Sequence, residues 1–135
     1  MKTLFKNFEI TSKFSGTKIP LWNDGYKYKS QHHKVTVKNT ENGKSTSFDF
    51  WSSIAQPVFE SEYDLLNAFY CFVSDALSGE YEAEEFLSEF GYLDGENIKH
   101  GLRAHKECQR SLAKLNRIYD GDIYNLSNEL SEVAR

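Results

Sequence analysis

The residues that could carry chemistry are four histidines, two cysteines and a surplus of carboxylates. His32 and His33 are adjacent at the start of a predicted strand, where successive side chains point to opposite faces, so the two rings cannot chelate one metal ion. His100 and His105 are five residues apart on a predicted helix, off the i, i+4 spacing that places two ligands on one face. The histidines therefore predict no metal site.

The cysteines Cys71 and Cys108 fall in helical patterns and lack the paired spacing of a disulfide framework. Both are expected to be buried, reduced thiols. Burial of Cys71 in an apolar helix would raise its pKa, and Cys108 borders cations but has no general base at a recognisable spacing. The chain also has no Gly-rich phosphate loop and no nucleophile elbow. We therefore expect no catalytic residue, no cofactor and no enzyme activity.

Carboxylates are concentrated in residues 59–98, named here the acidic block. It holds eleven Asp and Glu residues and no Lys or Arg. One interpretation is a solvated face, together with acids at helix starts that favour the helix dipole. The other is a negative surface that imitates a phosphate backbone or binds a basic partner. The residues predicted to form that partner-binding surface are Glu80, Glu82, Glu84, Glu85, Glu89, Asp94 and Glu96.

Cations follow directly, at steps of three or four residues, in what we name the basic stripe. At 100° per residue they fall inside an arc of about 80° on one helix. The stripe is compatible with a solvated amphipathic helix, with nucleic-acid binding, and with pairing to the acidic helices of the same molecule. Residues 1–58 are basic as well, with nine Lys against four carboxylates. The stripe consists of Lys99, Arg103, Lys106, Arg110, Lys114 and Arg117.

Residues 1–56 are predicted to be rich in strands. Lys34–Lys38 and Ser45–Trp51 alternate between polar and apolar residues, and Asn42-Gly43 between them is a strong hairpin signal. Phe5–Phe14 predicts one further strand. We expect a small antiparallel sheet centred on the hairpin.

Residues 57–135 are predicted to be helical, because the apolar period changes to 3.6 after Pro57. The central helix should begin in the capping-box-like sequence from Ser61 to Asp64 and end at Ser78-Gly79. Its Leu66, Phe69 and Phe72 are expected to be nearly solvent-free. Three more helices follow, namely a short one over Glu82–Phe90, the basic helix from Asp94 to Tyr119, and a tail helix over Ile123–Val133.

The whole chain, residues 1–135, is predicted to be one α+β domain, with the sheet packed against three to four helices. No apolar run approaches the ~18 residues that a membrane span needs, and the first residues lack the apolar core of a secretory signal. We therefore expect a protein of the cytoplasm that does not interact with membranes.

Two stretches resemble small, mostly uncharacterised proteins encoded by phages and prophages. One is Ser47–Ala55, which contains Phe-Asp-Phe-Trp, and the other is Glu85–Tyr92, which ends in Glu-Phe-Gly-Tyr and precedes the basic helix. The order of elements is also similar over residues 32–119. The chain departs from the pattern at Leu93-Asp94-Gly95 and in the tail after Asp120.

The resemblance implies a genetic setting and a class of function. Small phage proteins of this kind include inhibitors of host defence, anti-CRISPR proteins among them, and many use acidic surfaces. The first hypothesis is thus an inhibitor whose acidic helices bind a host protein or nucleoprotein complex, such as a CRISPR–Cas effector. The second is a nucleic-acid-binding accessory protein that uses the Lys-rich hairpin or the basic helix 99–117. The third is a non-catalytic interaction or scaffold protein, for example a homodimer.

Overall fold

The computed structural model describes residues 1–18, 29–52, 59–88 and 95–134, with residues 79–88 and 95–105 described by their backbone. The described residues form a four-stranded antiparallel sheet followed by three helices, which confirms the predicted α+β fold. None of these helices is long and apolar enough to cross a bilayer. The elements are β1 (Lys2–Phe5), β2 (Phe8–Lys18), β3 (Ser30–Asn39), β4 (Ser45–Ser52), α1 (Glu62–Ser88), α2 (Gly95–Ile118) and α3 (Ile123–Ala134).

The sheet is a meander, because each strand pairs with the next one along the chain in the order β1-β2-β3-β4. The prediction of one strand over Phe5–Phe14 is wrong. Phe5 pairs with Phe8, so the chain reverses at Lys6-Asn7 and forms two strands. Lys6 adopts a φ of 51°, a left-handed conformation that costs a non-glycine residue about 1–2 kcal/mol. Asn7 favours turns, but neither turn residue is Gly or Pro, so the turn signal at this position was weak.

The hairpin at Asn42-Gly43 is confirmed as the connection between β3 and β4. Lys38 pairs with Ser45, and the Asn39 amide donates to the Lys44 carbonyl across the base of the loop. Gly43 has a φ of 72°, the left-handed conformation for which Asn-Gly is selected. The loop is longer than the two-residue turn that Asn-Gly alone suggests.

Helix α1 runs unbroken for 27 residues, so the predicted stop at Ser78-Gly79 and the separate helix over Glu82–Phe90 are wrong. A glycine costs a helix only about 1 kcal/mol. Good helix formers on both sides of Gly79, including Ala and Leu before it and Glu after it, outweigh that cost. The predicted start is confirmed, because the Ser61 amide donates to Asp64 Oδ2 at 3.0 Å.

One face of the sheet packs against α1 and forms the core. The residues with no accessible surface include Ile10, Val35 and Val37 on the strands and Leu65 and Phe69 on the helix. Phe69 meets Phe8 edge to face at 5.6 Å, as an inward-facing residue should. The prediction that Leu66 and Phe72 are nearly solvent-free is wrong, because both are only partly buried. Helix α1 is apolar on most sides, and its sequence does not reveal which sector faces inward.

Helices α1 and α2 are antiparallel. The Cys108 thiol donates to the Ala76 carbonyl at 3.1 Å, and only six residues separate the end of α1 from the start of α2. A parallel pair would require that connection to span about 38 Å, at 1.5 Å per helical residue, whereas it reaches about 25 Å at most. The acid-rich end of α1 therefore lies at the same end of the pair as the first half of α2.

Candidate functional site

The predicted acidic surface falls mainly at one end of the antiparallel pair. Glu80, Glu82, Glu84 and Glu85 lie in the last three turns of α1, and Glu96 lies in the first turn of α2. The remaining two predicted residues, Glu89 and Asp94, lie outside the described residues. The continuous helix changes the electrostatic setting of the four glutamates. They lie in the C-terminal part of one long helix instead of at the start of a separate helix, and Glu85 lies in its last turn, where the negative end of the helix dipole acts.

The basic stripe belongs to α2, as predicted. Lys99 and Arg103 lie on the part of α2 that is described by its backbone. The other four members, Lys106, Arg110, Lys114 and Arg117, are all exposed. The opposite side of this half of α2 is buried through Cys108, Leu115 and Ile118. The amphipathic pattern therefore correctly predicted which side of α2 faces the core.

One contact joins the basic stripe to the sheet. Lys114 Nζ donates to the carbonyl oxygen of Ser47 at 3.0 Å. Ser47 lies in β4, which is an edge strand because it pairs with β3 alone. Lys114 therefore places the basic stripe next to the edge strand β4 at this position. Lys114 and Ser47 are 67 positions apart, so no pattern in the sequence indicated their contact, and the stripe and the Lys-rich hairpin were predicted as separate alternatives.

The side of the sheet away from the helices, named here the outer face, carries alternate residues of each strand. Lys34 stands between Lys13 on β2 and Asp49 on β4, and all three are exposed. The next rows along the strands pair Thr36 with Thr11 and Ser47, and Lys38 with Glu9 and Ser45. Lysines and hydroxyl side chains therefore dominate the middle of this face.

The adjacent histidines point to opposite faces, as predicted. His32 lies on the outer face, where its Nε2 is 2.8 Å from Asp49 Oδ1 and its ring is 4.4 Å from that of Trp51. His33 lies on the inner face against the ring of Phe59, at 5.1 Å. Burial lowers the pKa of His33, and the neighbouring His32 lowers it further. The two rings therefore have separate environments.

The cysteines differ from each other in burial. Cys108 is buried, with its thiol bonded to Ala76, whereas Cys71 is only half-buried, so the expectation of two buried thiols is wrong for Cys71. Burial raises the pKa of the Cys71 thiol, and the charge of Asp75 raises it further. A raised pKa lowers the thiolate fraction, which is the nucleophilic form. Among the described residues, no group of three His, Cys, Asp or Glu side chains could hold a metal ion.

A polar cavity of about 360 Å³ lies between the β1–β2 turn, the β3–β4 loop and the link from α2 to α3, and sequence reasoning did not find it. Lys6 and Glu129 form an ion pair at its wall, at 2.6 Å. Asn39 donates to the Ile118 carbonyl at 2.7 Å and accepts from the Glu41 amide. These bonds connect the loops of the sheet to the end of α2. The residues that line the cavity therefore have a structural role, because they hold the sheet against the helices.

Comparison of the chain with protein-family models, curated proteins and solved structures found no match. The similarity to phage-encoded proteins stays a prediction. The function proposed below therefore rests on the charge and geometry of the surfaces.

Proposed function

We propose that this protein is a non-catalytic, phage-type accessory protein that inhibits a host defence system in the cytoplasm. It binds a host protein or nucleoprotein complex through the acid-rich end of the α1–α2 pair. The observation that carries the proposal is the position of the acids on α1. Four glutamates occupy the last three turns of a helix with no basic residue in its last turn.

That position is unfavourable for the isolated protein. A carboxylate in the last turn of a helix, here Glu85, opposes the macrodipole, and like charges at i, i+4, such as Glu80 and Glu84, cost about 0.2–0.5 kcal/mol per pair. The interpretation as acids that stabilise a helix start applies to Glu62 and Asp64 in the first turn of α1, and to Glu96 in the first turn of α2, but not to the glutamates near the end of α1. A sequence that keeps an unfavourable charge arrangement on a helix is typical of a surface that serves a partner.

The partner that fits is a basic surface. Dense carboxylates without cations attract Lys- and Arg-rich surfaces at long range and accelerate encounter at low salt. Such surfaces occur where host proteins hold nucleic acid, and a CRISPR–Cas effector is the host complex that the resemblance to phage proteins implies. The acidic end would then occupy the place of a phosphate backbone.

The proposal is tested by reversing Glu82, Glu84 and Glu85 to Lys. The binding hypothesis expects a melting temperature equal to or above that of the wild type, because repulsion is relieved, together with loss of binding and of inhibition. Binding is measured by quantitative pull-down from host lysate and inhibition by DNA cleavage with a purified CRISPR–Cas effector. A matched control reverses the exposed Glu41, Glu107 and Glu132, which changes the net charge equally outside the acid-rich end.

Three other outcomes would contradict the proposal. A triple variant that folds normally and retains every partner of the wild type would exclude the acidic end as the binding surface. A lowered melting temperature without a separate binding defect would indicate internal pairing with the first half of α2. Dissociation of a wild-type dimer by the triple variant, seen in sedimentation, would favour the scaffold hypothesis.

A further inference from the structure

The cations of α2 approach the outer face where Lys114 contacts β4. Lys114 reaches the Ser47 carbonyl, and Arg110 and Arg117 lie one helical turn to either side of it, about 5–6 Å away. Ser47 is paired with Thr36 in β3. Cations therefore border this edge of the sheet along the helix.

The lysines of β3 continue the same surface. Lys34 and Lys38 stand two residues to either side of Thr36 on the same face, about 6.6 Å along the strand, and both are exposed. Helix and strand thus present cations on two sides of Ser47.

Lys34 and Lys38 stand opposite Asp49 and Glu9 on neighbouring strands, but the ion pairs among the described residues include neither lysine. The ion pairs there are Lys2–Glu9, Lys6–Glu129 and His32–Asp49, and they include no cation of the stripe or of the middle rows. Lys13 and Lys34 stand directly opposite each other on neighbouring strands. Like charges in that position destabilise a sheet. An anionic ligand with repeated charges would relieve the repulsion.

The side chains between the lysines indicate the class of ligand. The middle rows of the outer face carry the hydroxyl groups of Thr11, Thr36, Ser45 and Ser47 on β2 to β4, and the one large apolar side chain in these rows, Leu4, lies on the far edge strand β1. Lys, Arg, Ser and Thr are the side chains that contact phosphate oxygens in nucleic-acid complexes. A protein partner would instead require a buried aromatic or aliphatic anchor at the centre of the contact. The aromatic pair His32 and Trp51 borders the lysine rows on the same face.

We propose that the exposed residues of the basic stripe and the outer face of β3 and β4 form one surface that binds the sugar–phosphate backbone of a nucleic acid. Its principal residues are Lys34, Lys38, Arg110, Lys114 and Arg117. The proposal does not depend on the partner of the acid-rich end, which lies on different residues. Binding through phosphates is independent of base sequence and weakens steeply with salt.

The test uses the full chain and two fluorescent probes, a single strand of about 20 nucleotides and a duplex of about 20 base pairs, since a site that neutralises several phosphates needs several nucleotides. Anisotropy gives the dissociation constant from low to physiological salt. The surface variant combines Lys34→Gln with Arg110→Gln. The control variant combines Lys2→Gln with Lys6→Gln, which lie on the far edge and turn of the sheet and change the net charge equally. Thermal melting followed by circular dichroism verifies that both variants fold.

The surface variant should bind about tenfold more weakly or worse at low salt, while the control stays within about twofold of the wild type. Loss of two phosphate contacts should also reduce the slope of log affinity against log salt by about 1.8 on the duplex or about 1.4 on the single strand. The probe that binds more tightly identifies the strandedness of the ligand.

Absence of wild-type binding to both probes at low salt would overturn the proposal, and so would equal losses in the two variants. Tighter binding of an acidic peptide such as polyglutamate would assign the surface to a protein instead. Salt-sensitive self-association that the surface variant abolishes, without oligonucleotide binding, would assign it to a second copy of the chain. None of these results affects the test of the acid-rich end, because the two sets of variants share no residue.

Discussion

The two faces of the sheet are built from the same strands but differ in burial and charge. On β3, Val35 and Val37 have no accessible surface on the inner face, whereas Lys34 and Lys38, which flank the two valines in the sequence, are exposed on the outer face. Burial of a valine side chain contributes about 1.5–3 kcal/mol to the free energy of unfolding, and an exposed lysine contributes little. Alternation along one strand therefore lets the chain carry an unfavourable charge pattern without weakening its core.

The largest effect should come from the helix that covers the inner face. Phe69→Ala removes a fully buried ring from its contact with Phe8 and should lower the free energy of unfolding by about 3–5 kcal/mol through the cavity it leaves. Tyr63→Ala on the same helix is the control, since Tyr63 is exposed, and should cost under about 0.5 kcal/mol. Urea unfolding measures both. Equal effects would mean that α1 does not cover the sheet as described.

A smaller loss is expected for a polar group on the inner face. Asn39→Ala leaves the Ile118 carbonyl and the Glu41 amide without their partner, which should cost about 1–3 kcal/mol. Asn42→Ala in the same loop removes an exposed bond to the Lys44 amide and should cost less. Thermal and urea unfolding compare the two. A larger loss for Asn42→Ala would reverse the assignment of Asn39 as the link between sheet and helices.

His33 should make the stability of the inner face depend on pH. Its pKa in the folded state is lower than its ordinary value near 6.5, so below that pH the unfolded chain binds the proton more readily. The His33 contribution to stability is therefore fully present above about pH 6.5 and is lost as the pH falls toward the folded-state pKa.

The measurement is the free energy of unfolding in urea at two pH values, one above and one below the ordinary histidine pKa. His33→Gln should reduce the difference between the two values. His32→Gln should reduce it only in part, because burial is the larger cause of the His33 shift. An unchanged difference in the His33 variant would show that other groups control it.

The smallest effect, of opposite sign, is expected on the outer face. Lys13→Thr removes the repulsion from Lys34, its partner on β3, and introduces a good strand former, so it should raise the free energy of unfolding by about 0.2–1 kcal/mol. Lys34→Thr is the control, because it also removes the attraction to Asp49 on β4, and it should gain less. A loss of stability in Lys13→Thr would contradict the claim that the outer face keeps its charge at a cost.

Local patterns in the sequence were enough for the fold class and for several elements. Asn42-Gly43 predicted the hairpin, Ser61 to Asp64 predicted the start of α1, and the spacing of the basic stripe predicted the exposed side of α2. Each of these signals depends on residues within one or two turns of each other. Interactions of that range are present in the sequence as periodicity or as turn chemistry.

The features that were not predicted depend on competing local preferences or on contacts between residues far apart in the sequence. At Gly79 a stop signal competed with neighbouring helix formers, and the helix continued. The turn at Lys6 requires a positive φ, which a lysine does not predict because lysine rarely adopts it. Lys114 and Ser47, whose contact joins the two cationic sets, meet only through the packing of α2 beside β4. The continuity of the cationic surface therefore had to come from the structure.

The meander order of the strands has a consequence for synthesis on the ribosome. All four strands are complete by Ser52, whereas the helix that covers them ends at Ser88. At about 5–20 residues per second the intervening segment takes about 2–7 seconds to make, and a hairpin forms in microseconds. Throughout that interval Ile10, Val35 and Val37 have no helix over them. The exposed lysines on the outer face of the same strands give each nascent chain like charges, which oppose its association with other chains during that interval.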